Sequence, residues 1–229
     1  MSRGRSVFTF KHGVFDMDGT LIDSLSDVPR IFGEVLSAKG VDPTYAENFF
    51  HENTGLSMAE MLCQILDHFH VHHEQDDIDA IRWEFERLFY ETEANMFPGA
   101  TILLRKLHVR EIHLYLSSWS SQKMVKKRLF MDNISSLFRL SLGSSTVAKG
   151  TAHLEIFART AGVSLDTFCA KAFFCGDMQI DMEIAKSHGM YGIGVAGTIT
   201  AEKLIEAGAD RVINSIDELL IDENPGFFD

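Results

Sequence analysis

The chain lacks long apolar runs and has few cysteines. None of its apolar runs approaches the roughly 20 residues that a membrane-spanning helix needs, and the run after Arg3 and Arg5 is too short for a secretory core. Its three cysteines form no C-x-x-C pair, and an odd number suits a reducing compartment. These absences argue against membrane and secreted proteins and predict a cytoplasmic protein with reduced thiols.

Positive charge is also scarce. The chain carries 21 lysines and arginines against 33 aspartates and glutamates, a formal net charge of −12. Such an acidic protein repels nucleic-acid phosphates and anionic lipid surfaces, so we expect no nucleic acid and no membrane as a partner. Residues 23–96 hold 16 acidic and 4 basic side chains, so the excess of negative charge lies in one third of the chain.

The most informative segment places two carboxylates one residue apart, where a short apolar run meets a glycine turn. The pattern of residues 14–17 predicts a buried strand, and Gly19 allows a sharp turn after it. Carboxylates at such a place need a cation or a reaction, because burying them unpaired is costly. Asp16 could act as a nucleophile and Asp18 as a general acid and base, although a structural turn remains an alternative for this segment alone.

From about residue 99 onward, short apolar runs alternate with helical stretches. Strands are predicted at 112–116, 140–142, 172–175, 191–195 and 211–213, and helices at 120–131, 149–160, 178–187 and 200–207. This alternation predicts an α/β fold with a doubly wound parallel sheet covered on both faces. The strand before Asp16 is expected at its centre.

Residues 23–96 interrupt this alternation with consecutive helices. Helices are predicted over 27–39, after a capping box that begins at Ser57, and over 76–95. Because no strand pattern separates them, we expect a small inserted α-helical domain. The predicted domains are a core of residues 1–22 and 97–229 and a helical insert of residues 23–96.

Further polar groups lie at or beside the ends of predicted strands. Ser117, Ser118, Lys149, Asp177 and Asp181 all occupy such positions. Ligands of open parallel sheets bind beyond the carboxyl ends of the strands, so these groups should meet Asp16 there. Carboxylate oxygens can hold Mg²⁺, while a lysine and a hydroxyl can hold phosphate oxygens. Together they supply what phosphoryl transfer needs.

Two segments, Asp16-Met17-Asp18-Gly19-Thr20 and Gly176-Asp177-Met178-Gln179-Ile180-Asp181, have the form of known sequence motifs. They resemble the first and last motifs of the haloacid dehalogenase superfamily, in the branch of small phosphatases related to phosphoglycolate phosphatase. The tail from residue 194 to residue 220 is similar to this branch as well. The resemblance covers the whole chain and implies a Rossmann-like core with a helical cap at residues 23–96.

The resemblance also implies the role of each site residue. Asp16 is the expected nucleophile and Asp18 the general acid and base, while Ser118 and Lys149 hold the phosphoryl group; Ser117 is the less favoured alternative to Ser118. The implied Mg²⁺ ligands are Asp16, Asp18, Asp177 and Asp181, where Asp181 either binds the metal directly or acts through another ligand. The expected substrate contacts are Gly19, Thr20, Ser118, Trp119 and Lys149. The expected activity is hydrolysis of a small phosphate ester through an aspartyl phosphate, by a monomer or homodimer.

The chain departs from some relatives in ways that bear on its activity. Phosphosugar mutases of this branch carry a His ten residues after the acid/base Asp, where this chain has Val28. They also carry an Arg soon after a glycine turn; here Met58, three residues after Gly55, lies near that position. Both departures favour hydrolysis, with a mutase and a catalytically silent regulatory protein as alternatives. Lys149 is followed by Gly150 rather than the usual proline, and Trp119 could contact substrate or fill space.

Three other patterns predict nothing further. A calcium loop beginning at Asp16 would need Gly and Glu where the chain has Leu21 and Asp27. The G-x-G-x-x-G run at 192–197 contains its strand rather than following one, which disfavours a dinucleotide site. The histidines of residues 68–73 point in different directions on a helix, so a solvated helix end is preferred over a metal cluster with Cys63.

Overall fold

The structure is a computed structural model that describes residues 10–53, 56–145 and 147–220. The chain divides into two compact units, a sheet unit of Met1–Asp23 with Asn95–Asp229 and a helical unit of Ser24–Ala94. Arg3, Arg5 and Gly55, which enter the sequence predictions above, lie outside the described residues.

The described part of the helical unit contains four helices, not the three predicted. They are α1, Val28–Ser37; α2, Pro43–Glu52; α3, Met58–His68; and α4, Gln75–Glu91. The prediction missed α2, because Ala46 is the one fully buried side chain within Pro43–Glu52 and the apolar pattern is therefore weak. The start of α2 is nevertheless encoded, since the carboxylate of Asp42 accepts the N–H of Tyr45 at 2.8 Å. The capping box is confirmed: the N–H of Ser57 donates to Glu60 and the N–H of Glu60 donates to Ser57.

The described part of the sheet unit is built on six parallel strands. They are β1, His12–Phe15; β2, His113–Ser117; β3, Phe138–Leu142; β4, Ala172–Gly176; β5, Tyr191–Val195; and β6, Arg211–Ile213. Their order is β3-β2-β1-β4-β5-β6, so β1 is central, with Phe15 in register with Leu116 on one side and Cys175 on the other. The predicted doubly wound α/β fold and the central place of β1 are confirmed.

Helices connect successive strands of this sheet. They are α5, Ala100–Val109; α6, Gln122–Met131; α7, Thr151–Ala161; α8, Leu165–Cys169; α9, Gln179–Ser187; and α10, Ala201–Ala207. The sequence predictions did not include α5 and α8. Phe157 of α7 and Phe168 of α8 pack in one buried cluster with Val14, Tyr115 and Phe174 of the strands. Burying each such aromatic side chain contributes about 1.5–3 kcal/mol, which fixes the helices to the sheet.

The sheet order decides where the polar residues meet. β1, β2 and β4 are neighbours and run in the same direction, so their carboxyl ends lie side by side. Asp16 follows β1, Ser118 follows β2 and Asp177 follows β4. These three residues, far apart in sequence, therefore lie at one edge of the sheet, in the crevice where parallel sheets bind ligands. No helix in the described parts of the chain combines the length and the apolar character that crossing a bilayer would take.

Candidate active site

The turn after β1 buries Asp16 and leaves Asp18 partly exposed. The N–H of Asp16 donates to the carbonyl of Cys175 at 2.9 Å, which extends the β1–β4 ladder by one residue. The chain then turns, with Gly19 at φ 76°, a backbone conformation that glycine adopts without strain. Asp16 is only 5% exposed to solvent. The turn thus presents one carboxylate inside the site and a second at its margin.

Asp16, Asp177 and Asp181 form a buried group of three carboxylates. Each offers one oxygen, and these oxygens lie within 4.8 Å of one another. Oδ1 of Asp177 accepts a hydrogen bond of 2.8 Å from the hydroxyl of Thr20, while its Oδ2 is buried with no hydrogen-bond partner among the described residues. A hydrogen-bond donor or a cation would stabilise this oxygen, because a buried acceptor without a partner costs free energy.

Gly176 makes room for this arrangement. A Cβ added at position 176 would lie 2.5 Å from Cγ of Asp181, a separation that real Cβ atoms do not show. Oδ2 of Asp181 accepts the N–H of Met178 at 3.1 Å, so the side chain folds back over the end of β4. The glycine of the G-D-x-x-x-D motif is therefore required by the close approach of the second acid to the backbone.

Lys149 places one positive charge inside the carboxylate group. It lies two residues before α7, and its side chain is fully buried. Its Nζ is 3.0 Å from Oδ1 of Asp16 and 2.7 Å from Oδ1 of Asp181. Although burial alone would lower the pKa of Lys149, the two carboxylates raise it above its ordinary value, so the lysine is charged. The assignment of this lysine to the site, despite Gly150 in place of proline, thus agrees with its position.

The carboxylate group carries more negative than positive charge. Burial raises the pKa of Asp16 well above its ordinary value; Lys149 acts against this rise, while Asp181 and Asp177 add to it. Burial likewise raises the pKa of Asp177, and the nearby hydroxyl groups of Thr198 and Thr20 act against this rise. A further cation would reduce the repulsion among these carboxylates, and three carboxylates offer enough oxygen ligands for a hard divalent ion such as Mg²⁺. The residues present therefore fit a metal site.

A serine that the sequence did not single out contacts the second carboxylate of the turn. The hydroxyl of Ser120 donates to Oδ2 of Asp18 at 2.7 Å. The N–H of Ser120 donates in turn to the hydroxyl oxygen of Ser118 at 3.0 Å, and Ser118 is fully buried. The hydroxyl proton of Ser118 makes no hydrogen bond within the described part of the chain and is available to a ligand. Ser120 gave no sequence signal, because its partner lies 102 residues away.

The other predicted contacts occupy less direct positions. The N–H of Gly19 donates to the carbonyl of Ile22 and the N–H of Thr20 to that of Met17, so both amides are engaged in the turn. The hydroxyl of Thr20 holds Asp177, as described above. Trp119 is 54% exposed, and its carbonyl accepts a short hydrogen bond from the hydroxyl of Ser144. Contact of Gly19, Thr20 or Trp119 with substrate stays a prediction.

Two other patterns of the sequence have different structural settings. The strand β5 occupies residues 191–195 and so lies inside the G-x-G-x-x-G run, where Gly194 is in close contact with Leu204 of α10. Among the described residues, Asp16, Asp177 and Asp181 are the one group of His, Cys, Asp and Glu side chains placed to share a metal ion. The prediction of a helix for the histidines of residues 68–73 holds only for His68, because α3 ends there and His70, His72 and His73 follow its end.

The fold and the site are those of an α/β protein with a group of buried carboxylates at the edge of a parallel sheet. The sequence model of the haloacid dehalogenase-like hydrolase family matches residues 14–195, and the chain belongs to this family.

Several known proteins are similar to it. A phosphoglycolate phosphatase of Pseudomonas putida is 25% identical over 218 residues, 90% of this chain and 76% of that protein. A probable phosphatase, IndB, of Dickeya dadantii is 26% identical and is covered to 90%, as is this chain. Two solved structures share the fold: a haloacid dehalogenase-like hydrolase from Streptococcus pneumoniae, with TM-score 0.70, 21% identity and coverage of 93% of this chain and 97% of that one, and CbbY from Rhodobacter sphaeroides in complex with phosphate, with TM-score 0.65, 22% identity and coverage of 92% and 96%.

Proposed function

We propose that the protein is a Mg²⁺-dependent phosphatase that hydrolyses a small phosphate monoester through an aspartyl phosphate on Asp16. One observation carries this proposal: three buried carboxylates and one buried lysine converge at the end of β1, with Asp18 beside them. The similarity to proteins named phosphatase supports the same reaction. Neither a purely structural turn nor a binding site for a neutral ligand would need this concentration of buried charge.

The first half of the reaction forms a covalent intermediate. A carboxylate oxygen of Asp16 attacks phosphorus, the bond from phosphorus to the ester oxygen breaks, and Asp18 gives its proton to the leaving alcohol. The Lys149 contact at 3.0 Å keeps the Asp16 carboxylate in one orientation before attack. Asp18 is held by Ser120 at 2.7 Å, so both carboxylates are oriented in advance.

The second half releases phosphate. Asp18, now ionised, takes a proton from a water molecule, whose oxygen attacks phosphorus and displaces the carboxylate of Asp16. Because Asp18 lies at the margin of the site and is partly exposed, it can meet both the leaving alcohol and the incoming water. Lys149 and Ser118 would hold the oxygens of the transferring phosphoryl group throughout, the first by charge and the second by its unused hydroxyl proton.

The proposed metal ligands are Asp16, Asp177 and the backbone carbonyl of Asp18, with Asp181 as a further candidate. When bound, Mg²⁺ would neutralise charge between the phosphate ester and the carboxylates. Oδ2 of Asp177 is buried and without a hydrogen bond among the described residues, which suits a ligand atom. Both oxygens of Asp181 already have partners, Lys149 and the N–H of Met178, and this favours an indirect role in which Asp181 fixes the lysine.

We propose further that residues 23–96 form the domain that selects the substrate, and residues 1–22 with 97–229 the catalytic core. The four basic side chains of the helical segment, Arg30, Lys39, Arg82 and Arg87, each pair with an acid of the same segment. The segment nevertheless has 12 more acidic than basic side chains, so polyanionic substrates such as bisphosphates are disfavoured. Efficient hydrolysis of a bisphosphate at both low and high salt would contradict this part of the proposal.

The three cysteines, all within the described residues, are free, which agrees with a reducing compartment and with our placing of the reaction in the cytoplasm.

A screen over metabolite phosphates, ranked by kcat/KM with and without Mg²⁺, tests the function. We expect release of inorganic phosphate that EDTA abolishes and that Asp16→Asn lowers by at least about a thousandfold, since no other nucleophile replaces the carboxylate. Glu155→Gln, a change to an exposed carboxylate of α7, is the matched control and should leave turnover unchanged. Near-normal turnover by Asp16→Asn would refute the mechanism. Conversion of a sugar 1-phosphate to a 6-phosphate would favour a mutase, and no turnover on any ester would favour a silent regulatory protein.

A further inference from the structure

His153 is buried between the two chain segments that carry the proposed phosphate contacts. It is the third residue of α7 and has no exposed surface. One ring nitrogen, Nδ1, lies 2.9 Å from the hydroxyl of Ser117, and the other, Nε2, lies 2.9 Å from the carbonyl oxygen of Val147. Both polar atoms of the ring therefore have partners, and the two partners belong to different parts of the fold.

The hydrogen-bond partners fix which nitrogen carries the proton. A backbone carbonyl can only accept, so Nε2 carries the hydrogen and donates to Val147. Nδ1 then accepts from the hydroxyl of Ser117. Burial lowers the pKa of His153 below its ordinary value, which agrees with a neutral ring. The neutral ring, in a single tautomer, therefore holds Ser117 and Val147 at a fixed separation through one acceptor and one donor.

The two segments that His153 joins are those of Ser118 and Lys149. Ser117 ends β2 and directly precedes Ser118, whose hydroxyl we assign to the phosphoryl group. Val147 lies two residues before Lys149 in the segment that leads into α7. The ring therefore connects the end of β2 to the backbone of residues 147–149, here called the lysine segment. This explains the presence of two adjacent serines: the first is held by His153, which leaves the second for the site.

We propose that His153 is a positioning residue that sets the distance between Ser118 and Lys149 through its hydrogen bonds to Ser117 and Val147. The proposal rests on the proposed function, because it assigns the two positioned groups to phosphate. Filling the core beside Phe157, whose ring centroid is 6.1 Å away, does not require a side chain that forms hydrogen bonds. A side chain of similar volume without nitrogen atoms would serve that role equally well.

Four variants separate the two hydrogen bonds. His153→Asn keeps a polar atom near the position of Nδ1, His153→Gln keeps one near Nε2, and His153→Phe keeps the ring volume and neither bond. Ser117→Ala removes the partner of Nδ1 with the smallest change in volume. Phe157→Leu, one turn further along α7 and equally buried, is the matched control for a loss of stability that does not involve the lysine segment.

The measurements are kcat/KM on the best phosphate ester and competitive inhibition by inorganic phosphate. Each lost hydrogen bond should lower kcat/KM by about fivefold, and His153→Phe by more than tenfold, with phosphate inhibition weakened in parallel. Ser117→Ala should add little in the His153→Phe background, because the bond it removes is already gone. Phe157→Leu should lower Tm and leave both kinetic quantities unchanged.

The proposal is overturned if His153→Phe lowers Tm while kcat/KM and phosphate inhibition stay at wild-type values. If His153→Phe does not fold, Ser117→Ala, His153→Asn and His153→Gln decide by the same two measurements. A crystal structure of the folded variant with the largest effect separates this proposal from the proposed function. Should the wild type hydrolyse no phosphate ester, the function fails. An unchanged separation of Lys149 Nζ and Ser118 Oγ in the variant would still refute the positioning role, and a changed separation would support it.

Discussion

The hydroxyl of Ser120 donates a hydrogen bond of 2.7 Å to Oδ2 of Asp18. Asp18 comes from the turn after β1, and Ser120 from the segment between β2 and α6. The same serine donates its backbone N–H to Ser118. One residue therefore orients the proposed acid and base and also fixes a proposed phosphate contact.

Ser120→Ala should lower kcat by roughly tenfold, because a hydrogen bond to a charged group contributes about 1.5–3 kcal/mol. Without this bond, the carboxylate of Asp18 would no longer be held in one orientation. Tm should change little. Ser121→Ala is the neighbouring control: its hydroxyl caps α6 by accepting the N–H of Met124, so it should cost about 1 kcal/mol of stability and leave kcat unchanged. Equal kinetic effects of the two substitutions would show that Ser120 has no special role.

Gly176→Ala should disable the site without a large loss of folding. The added methyl would lie 2.5 Å from Cγ of Asp181, so that side chain must move away from Lys149. We expect a loss of kcat/KM of at least about a hundredfold, as for a group displaced by an ångström. Gly189→Ala is the control: it has open space at φ 67°, so the strain of about 1–2 kcal/mol should lower Tm but spare activity. Normal activity of Gly176→Ala would show that Asp181 is dispensable.

Mg²⁺ should raise the Tm of the wild type and not that of Asp177→Asn. Binding at a hundredfold excess over Kd stabilises by about 2.7 kcal/mol, or roughly 5–10 °C for a chain of this size. Asn at 177 keeps an acceptor for Thr20 but removes the charge. Glu183→Gln changes an exposed carboxylate of α9 and should keep the full shift. The metal assignment is wrong if differential scanning fluorimetry gives Asp177→Asn the wild-type shift.

His12 should make the stability of the protein depend on pH between about 4 and 6.5. It is 8% exposed and stacks on Phe168 at 4.5 Å; burial, with smaller effects of His113, Arg139 and Lys11, lowers its pKa from 6.5 to about 4. Within this window the unfolded chain binds the proton more readily, so the free energy of unfolding rises with pH and levels off above 6.5. The difference corresponds to at most about 3 kcal/mol.

Replacing His12 by Phe should flatten this part of the pH profile. Urea unfolding at pH 4.5 and pH 7 should show a smaller difference in His12→Phe than in the wild type. His51→Gln, which changes an exposed histidine of α2, should keep the wild-type difference. A wild-type slope in His12→Phe would assign the acid sensitivity to other groups.

The sheet could be predicted from the sequence because its strands are buried apolar runs between turns. The strands Tyr191–Val195 and Arg211–Ile213 begin and end where predicted, and the other strands differ by one or two residues. Helix α2 could not be recognised by its apolar face, since it buries little; the capping pattern at Asp42 was its available signal. Periodicity reports burial, and elements with little burial escape it.

The site was predictable in its carboxylates and not in the residues that hold them. Asp16, Asp177 and Asp181 follow strand ends in recognisable motifs, and the structure brings them together with Lys149. Ser120 and His153 carry no motif, and their partners are 102 and 36 residues away in sequence. Supporting contacts of this kind depend on side-chain directions, which only the folded chain defines.

The central place of β1 bears on how the protein is made. His12–Phe15 is synthesised before either of its two neighbours in the sheet, His113–Ser117 and Ala172–Gly176. On the ribosome, this apolar segment has no partner in the sheet until His113–Ser117 has been made, and it gains its second neighbour only after Ala172–Gly176. Such distant pairings slow folding. The site can therefore form only after Asp177 has been synthesised, and chains released before that point should aggregate rather than bind metal.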